Sequence, residues 1–199
     1  MADLILGNTT VMTESTGVVT LSAPNIITHN NLPPNTIVQT HQHAYTDNTV
    51  IGGSTNTFLE ITQATTSITT KRDNSKLLVM YCCQFGSAAD NHASFQVRMN
   101  EVLLAVGNQP NASYGRRGTA PMGYTSPANT ENFIYSYNYN HLESTSVSAG
   151  TVCTFKLMIS SRGSDAKQIT LNAPKIYSTW GDNNSHSGRS TVTIMEIAT

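Results

Sequence analysis

His41 and His43 stand two positions apart in the run Ile37–Tyr45, with His29 upstream. On an extended strand such positions share one face, so the two imidazoles point the same way. Two neutral imidazoles on one face are half of a ligand set for zinc or a similar ion. No carboxylate sits at a fixed spacing that completes the set, although Asp47 is near. The pair is therefore a weak metal candidate, and the expectation is a chain with no metal and no cofactor. The cysteines point the same way. Cys82 and Cys83 are adjacent and face opposite sides of a strand, and with Cys153 they make an odd count. No C-x-x-C spacing occurs, so buried free thiols in a reducing compartment are expected.

Nucleophilic and phosphate-binding patterns are missing as well. The chain has no G-x-S-x-G elbow, no H-E-x-x-H and no P-loop spacing. Its 12 Asp and Glu are scattered, so no carboxylate pair for glycoside hydrolysis can be named. The chain is read as a non-enzyme, with no catalytic residues. A cupin-like enzyme holding a metal on His41 and His43 is the competing reading from another class. Two loops carry groups suited to ligands. Residues 107–130 contain Tyr114, Tyr124 and the pair Arg116 and Arg117 between glycines; residues 178–190 contain Trp180. Aromatic faces stack on sugar rings, and a guanidinium grips carboxylates in a fork. Tyr135, Tyr137 and Tyr139 form a stripe opposite Ser136, Asn138 and Asn140, which marks the tyrosine side as core or interface.

The elements that position these residues follow from composition and alternation. Thr, Ser and Asn fill roughly a third of the chain, hydrophobic residues make up 38% and charged residues 12%. Thr favours pleated strands, while Ser and Asn favour turns. No segment sustains a helical period. A formal net charge of −1 gives no counterion-release drive toward nucleic acid and no attraction to anionic membrane. Apolar runs fall short of a bilayer span, and Met-Ala-Asp-Leu-Ile-Leu lacks the basic start of a secretory signal.

Residues 1–36 read as an extended arm of short strand pieces at Asp3–Leu6, Thr9–Thr13 and Gly17–Leu21, with a turn over Glu14–Gly17. Pro33 and Pro34 lead out of it. No Lys or Arg occurs before Lys71. An arm with no basic residue, whose only charges are Asp3 and Glu14, suits docking on another protein, because buried charge is costly. Leu4, Ile5, Leu6, Val11, Val18, Val19 and Leu21 are its candidate anchors. Residues 37–199 read as one antiparallel β-sandwich of the jelly-roll type, built from about eight to ten strands. Its strands are Ile37–Tyr45, Phe58–Thr62, Thr66–Thr70, Lys76–Phe85, Phe95–Met99, Val102–Val106, one through Phe133–His141, Val152–Ile159, Gln168–Leu171 and Thr191–Ile197. The Lys76–Phe85 strand is apolar on both faces, so its outward face must meet a loop, the arm or another subunit.

Several stretches resemble the small jelly-roll virion proteins of tailed bacteriophages, of the marine and cyanophage kind. They are Ser187–Ile197, the turn and strand at Asn74–Val79, the hairpin Phe95–Met99 with Val102–Gly107, Leu4–Asn8 with Gly17–Leu21, and Pro34–Thr40. The resemblance implies an all-β jelly roll preceded by an N-terminal β arm and displayed on the virion after assembly in the bacterial cytoplasm. It implies a homotrimer contacting the major capsid protein or other virion proteins. Capsid decoration (cement) is the first function it implies. The alternative is a tail or head fibre whose loops bind host-surface glycan. It brings no catalytic residues.

Overall fold

The computed structural model describes residues 2–6, 9–15, 18–21, 29, 32–51, 57–87, 92–104, 120–121, 134–162, 169–173 and 188–199. These form strands and short 3₁₀ turns, with no α-helix among the described residues. The strands are β1 (Ala2–Leu6), β2 (Thr9–Ser15), β3 (Val18–Leu21), β4 (Ile37–Tyr45), β5 (Thr49–Ile51), β6 (Leu59–Glu60), β7 (Thr66–Thr69) and β8 (Ser75–Ser87). They continue as β9 (His92–Met99), β10 (Val102–Leu103), β11 (Ala120–Pro121), β12 (Ile134–Val147), β13 (Val152–Arg162), β14 (Ile169–Leu171) and β15 (Ser190–Ile197).

β1, β2 and β3 make an antiparallel sheet of their own, in that order. β2 runs further than the turn expected over Glu14–Gly17 allows, because Glu14 and Ser15 pair with Val19 and Val18. Leu32–Thr36 is tied to the sandwich instead. Asn35 N–H donates to Ala198 O at 2.7 Å, and Ala198 N–H donates to Thr36 O at 2.8 Å.

The sandwich has two antiparallel sheets. In the first, β8 is central and β12 pairs along it from Ile134 opposite Gly86 to Val147 opposite Ser75. The other edge of β8 is shared. β15 pairs with Lys76–Cys82 and β14 with Phe85–Ser87. β4 lies outside β15, and β5 outside β14. In the second sheet β9 pairs with β13, β10 and β11 share the far edge of β9, and β6 and β7 share the far edge of β13. The pairing is nested: β4 with β15, β6 and β7 with β13, β8 with β12, β9 with β10 and β11. That is a long hairpin folded over on itself, the jelly roll of two Greek keys. Two short strands, β5 and β11, escape the alternation pattern because each is only two or three residues long.

Period-2 alternation builds the core. Leu77, Val79, Tyr81, Cys83 and Phe85 of β8 are all buried and face Phe95 and Val97 of β9 and Phe155, Leu157 and Ile159 of β13. Phe95 joins the sheets, with ring centroids 4.8 Å from Phe85 and 4.4 Å from Tyr137. Each such side chain contributes roughly 1.5–3 kcal/mol when fully buried. The β9–β10 turn is the tight one expected. Asn100 and Glu101 take φ of 47° and 69°, as a two-residue type I′ hairpin requires. Gln96 departs from expectation: its register is outward, yet it is buried.

Candidate functional site

The histidine pair sits on β4, an outer strand of the first sheet. Cross-strand register places His41 opposite Ile194 and His43 opposite Val192, so both share the inward face. β4 forms the sheet's edge, and both imidazoles remain exposed. His41 Nε2 lies 3.0 Å from Thr66 Oγ1 on β7 of the opposing sheet, which spans the slot between the two edges. His43 stacks on Tyr45 with centroids 5.9 Å apart. Among the described residues no three His, Cys, Asp or Glu side chains are grouped to hold a metal.

Behind them lies a cluster of phenols around one thiol. Tyr45 Oη is 3.1 Å from Cys83 Sγ, and Tyr81 O–H donates to Ala64 O at 3.3 Å. Burial pushes the Cys83 thiol up to about 12, and a charged Cys82 beside it would push the same way. A thiol so placed stays neutral and is a poor nucleophile at physiological pH. Tyr45 and Tyr81 are also raised well above the ordinary phenol range, first by burial and then by Cys83. Burial likewise raises Tyr137, and takes Tyr139 to about 12. By register the tyrosine stripe faces inward, with Tyr135, Tyr137 and Tyr139 opposite Phe85, Cys83 and Tyr81. The three cysteines are free, with Cys83 and Cys153 buried and Cys82 exposed on the opposite face.

Two polar hubs fix the sandwich where charge would otherwise be costly. Glu196 is fully buried at the end of β15. Its Oε1 accepts from Ser75 Oγ at 2.6 Å and from the Lys71 and Arg72 amides at 3.0 Å each. Its Oε2 accepts from Gln39 Nε2 at 2.6 Å and from the Lys71 amide at 3.0 Å. Several charge-assisted bonds satisfy a buried carboxylate without a cationic partner. Asn172, with φ of 61°, is the second hub. Its Nδ2 donates to Tyr45 O at 3.1 Å and Asp47 O at 3.2 Å, and its Oδ1 accepts from Ser190 Oγ at 2.5 Å. The alternation missed both hubs. Glu196 carried a signal, since it falls in phase with the inward Val192 and Ile194; Asn172 carried none.

The outer faces of the two sheets differ in charge. On the second sheet, Lys156 Nζ lies 2.6 Å from Glu101 and 3.2 Å from Glu60, and Arg98 approaches Glu101 at 3.8 Å. On the first sheet, the outward strand positions carry one charge, Lys76 at one end. Its middle rows run Thr40–Met195–Leu78–Leu142 and Gln42–Thr193–Met80–Asn140 by register. Leu142 is 47% exposed, and Cys82 is exposed in the next row. A shallow depression of about 250 Å³ opens there, lined by Met80, Cys82, Asn138, Asn140, Thr191 and Thr193 among others.

Of the anchors expected in the arm, Leu4, Ile5, Leu6, Val11, Val18, Val19 and Leu21 all fall in β1, β2 and β3. The loop residues Tyr114, Arg116, Arg117, Tyr124 and Trp180 lie outside the described residues, as does Phe133. No protein-family model matches the chain, and no curated protein matches it. One similar solved structure is dimeric latent PorU from Porphyromonas gingivalis, at 7% identity and a TM-score of 0.32. The match covers 86% of this chain, which spans 14% of that one.

Proposed function

We propose that this chain is a structural subunit of a phage virion, a capsid decoration protein that anchors through its N-terminal sheet. The observation that supports the reading is the organisation of β1, β2 and β3 (Ala2–Leu6, Thr9–Ser15 and Val18–Leu21). They form a three-stranded sheet bonded strand to strand, with no Lys or Arg in the segment, apart from the two sheets of the sandwich. A sheet of three short strands gains stability by packing a face on something larger. The jelly roll supplies a rigid body, and the arm supplies the attachment. A trimer is the oligomer implied by the resemblance, with the major capsid protein as the anchoring partner.

The test is deletion of residues 1–21, which spares the Leu32–Thr36 segment bonded to the sandwich, followed by mixing with virions stripped of this protein and sedimentation of the particles. The truncated sandwich is expected to stay folded and remain in the supernatant, while the full chain pellets with particles. Co-sedimentation of the truncated form at full occupancy would overturn the reading.

A further inference from the structure

We infer that the outer face of the β4-β15-β8-β12 sheet is a contact surface for a second copy of this chain, packed face to face about a twofold axis. The first ground is what the face lacks. Its strand positions hold one charge, while the outer face of the opposite sheet carries Glu60, Arg98 and Lys156. Charge is depleted in the centres of protein interfaces, where it would have to be desolvated.

The second ground decides the occupant. In a twofold contact identical groups meet at the axis, and away from it residue i meets residue j and j meets i, so the face must complement itself. Carboxylates only accept and ammonium groups only donate, so neither pairs with its own copy. Hydroxyls and amides both donate and accept, so they do. The accessible polar residues of this face are of that kind: Thr191, Asn138, Asn140 and Gln42, the last also donating to the buried Thr193 hydroxyl at 3.0 Å. They surround an apolar strip of Leu78, Met80, Met195 and Leu142, all at least partly exposed. A partner bearing charge would find only Lys76, at one end, as a counter-charge. A copy of the same face finds both apolar surface and self-matching hydrogen-bonding groups.

The size is adequate. Four strands about 4.8 Å apart and about eight residues long give on the order of 500 Å² per copy. The pair then covers on the order of 1,000 Å², the lower end of specific interfaces. The contact is expected to be reversible, with dissociation in the micromolar range. It is compatible with a trimer held through other surfaces, in which case twofold pairing gives a hexamer. It is also independent of any attachment made by residues 1–36.

Cys82 supplies a direct readout, because it is exposed on this face while Cys83 and Cys153 are buried. The full-length protein would be examined by sedimentation velocity from 1 to 200 µM, as order-of-magnitude limits around the expected affinity. Maleimide labelling of Cys82 would be timed at both ends of the range. The expected result is an even-numbered assembly at high concentration, with Cys82 labelling slowed about tenfold or more. L142D puts a carboxylate with no counter-charge beside it into each half of the contact, at an exposed position, and is expected to weaken assembly by a factor of ten or more. Its unfolding midpoint, taken at low concentration, should match the wild type. A monomer at all concentrations, a trimer, or Cys82 labelling equally fast at both ends would overturn the inference. So would an even-numbered assembly that L142D leaves intact.

Discussion

Replacing Glu196 tests whether the sandwich is locked at its closing strand by a carboxylate with no cation against it. In E196A four donors lose their acceptor: Gln39 Nε2, the Lys71 and Arg72 amides, and Ser75 Oγ. Lys71 is exposed and Arg72 and Gln39 half-buried, so water can reach those donors, at about 0.5–1 kcal/mol each. Ser75 is fully buried, but its hydroxyl keeps the Arg72 carbonyl at 3.0 Å as an acceptor, so it too loses only about 0.5–1 kcal/mol. The sum is about 2–4 kcal/mol. In E196Q the volume is kept, and the remaining oxygen can still accept from Ser75 and from the Lys71 and Arg72 amides. The new amide then faces Gln39 Nε2, donor against donor. Rotating the Gln39 amide repairs that contact but gives up its bond to Thr69 O at 2.7 Å. E196Q should therefore cost about 1–2 kcal/mol. Urea unfolding followed by far-UV circular dichroism, at pH 7 and one protein concentration, measures both. Loss below 1 kcal/mol in E196A, or equal loss in the two variants, would refute the reasoning.

Alkali should unfold the protein from about pH 9 upward. The Cys83 thiol is held at about 12 against an ordinary 9.0, so the folded state keeps a proton that the unfolded chain releases. Stability is unaffected below pH 9 and falls by about 1.4 kcal/mol per pH unit up to about pH 12 from this group alone. The buried tyrosines add to the loss above pH 10, the ordinary phenol value. Stability measured at pH 8 and pH 10.5 checks this, and C83A should flatten the profile between pH 9 and 10. At Gly188 an added Cβ would lie 2.7 Å from Gln84 Cβ and 2.9 Å from its Cγ. G188A must push β8 and the start of β15 apart, with an expected loss of about 1–3 kcal/mol in the same urea assay.

Strand identity was legible wherever one face meets the core. Phe95, Val97 and Met99 alternate with polar neighbours and are buried, and Val192 and Ile194 behave alike. The adjacent Cys82 and Cys83 divide between the two faces as their spacing demands. β5 and β11 were illegible because two or three residues carry no period. Asn172 was illegible for another reason. Its role comes from φ of 61° and from Ser190, Tyr45 and Asp47, brought near by the nested pairing. Glu196 was misjudged as one of a scattered set of carboxylates, although its phase with Val192 and Ile194 marked it as inward. The double-sided apolarity of β8 raised the question of what covers Leu78 and Met80. The fold makes that question sharper, because the strands on either side of β8 add no charged side chain to this face.

The nested pairing also sets an order of events during synthesis. The most apolar strand, β8, receives neither of its long neighbours from nearby sequence. β12 and β15 both come later, and Ser75 meets Glu196 across 121 positions. Distant pairing of this kind folds slowly, on the order of milliseconds to seconds. While the ribosome is still making the second half, both edges of β8 stand open, and strand edges of that kind are prone to pair with other chains. Yield in the cell should then depend on how quickly residues 134–197 follow β8 out of the ribosome. Slowing translation between the codons for Ser87 and Ile134 would lengthen the vulnerable interval without altering the finished protein.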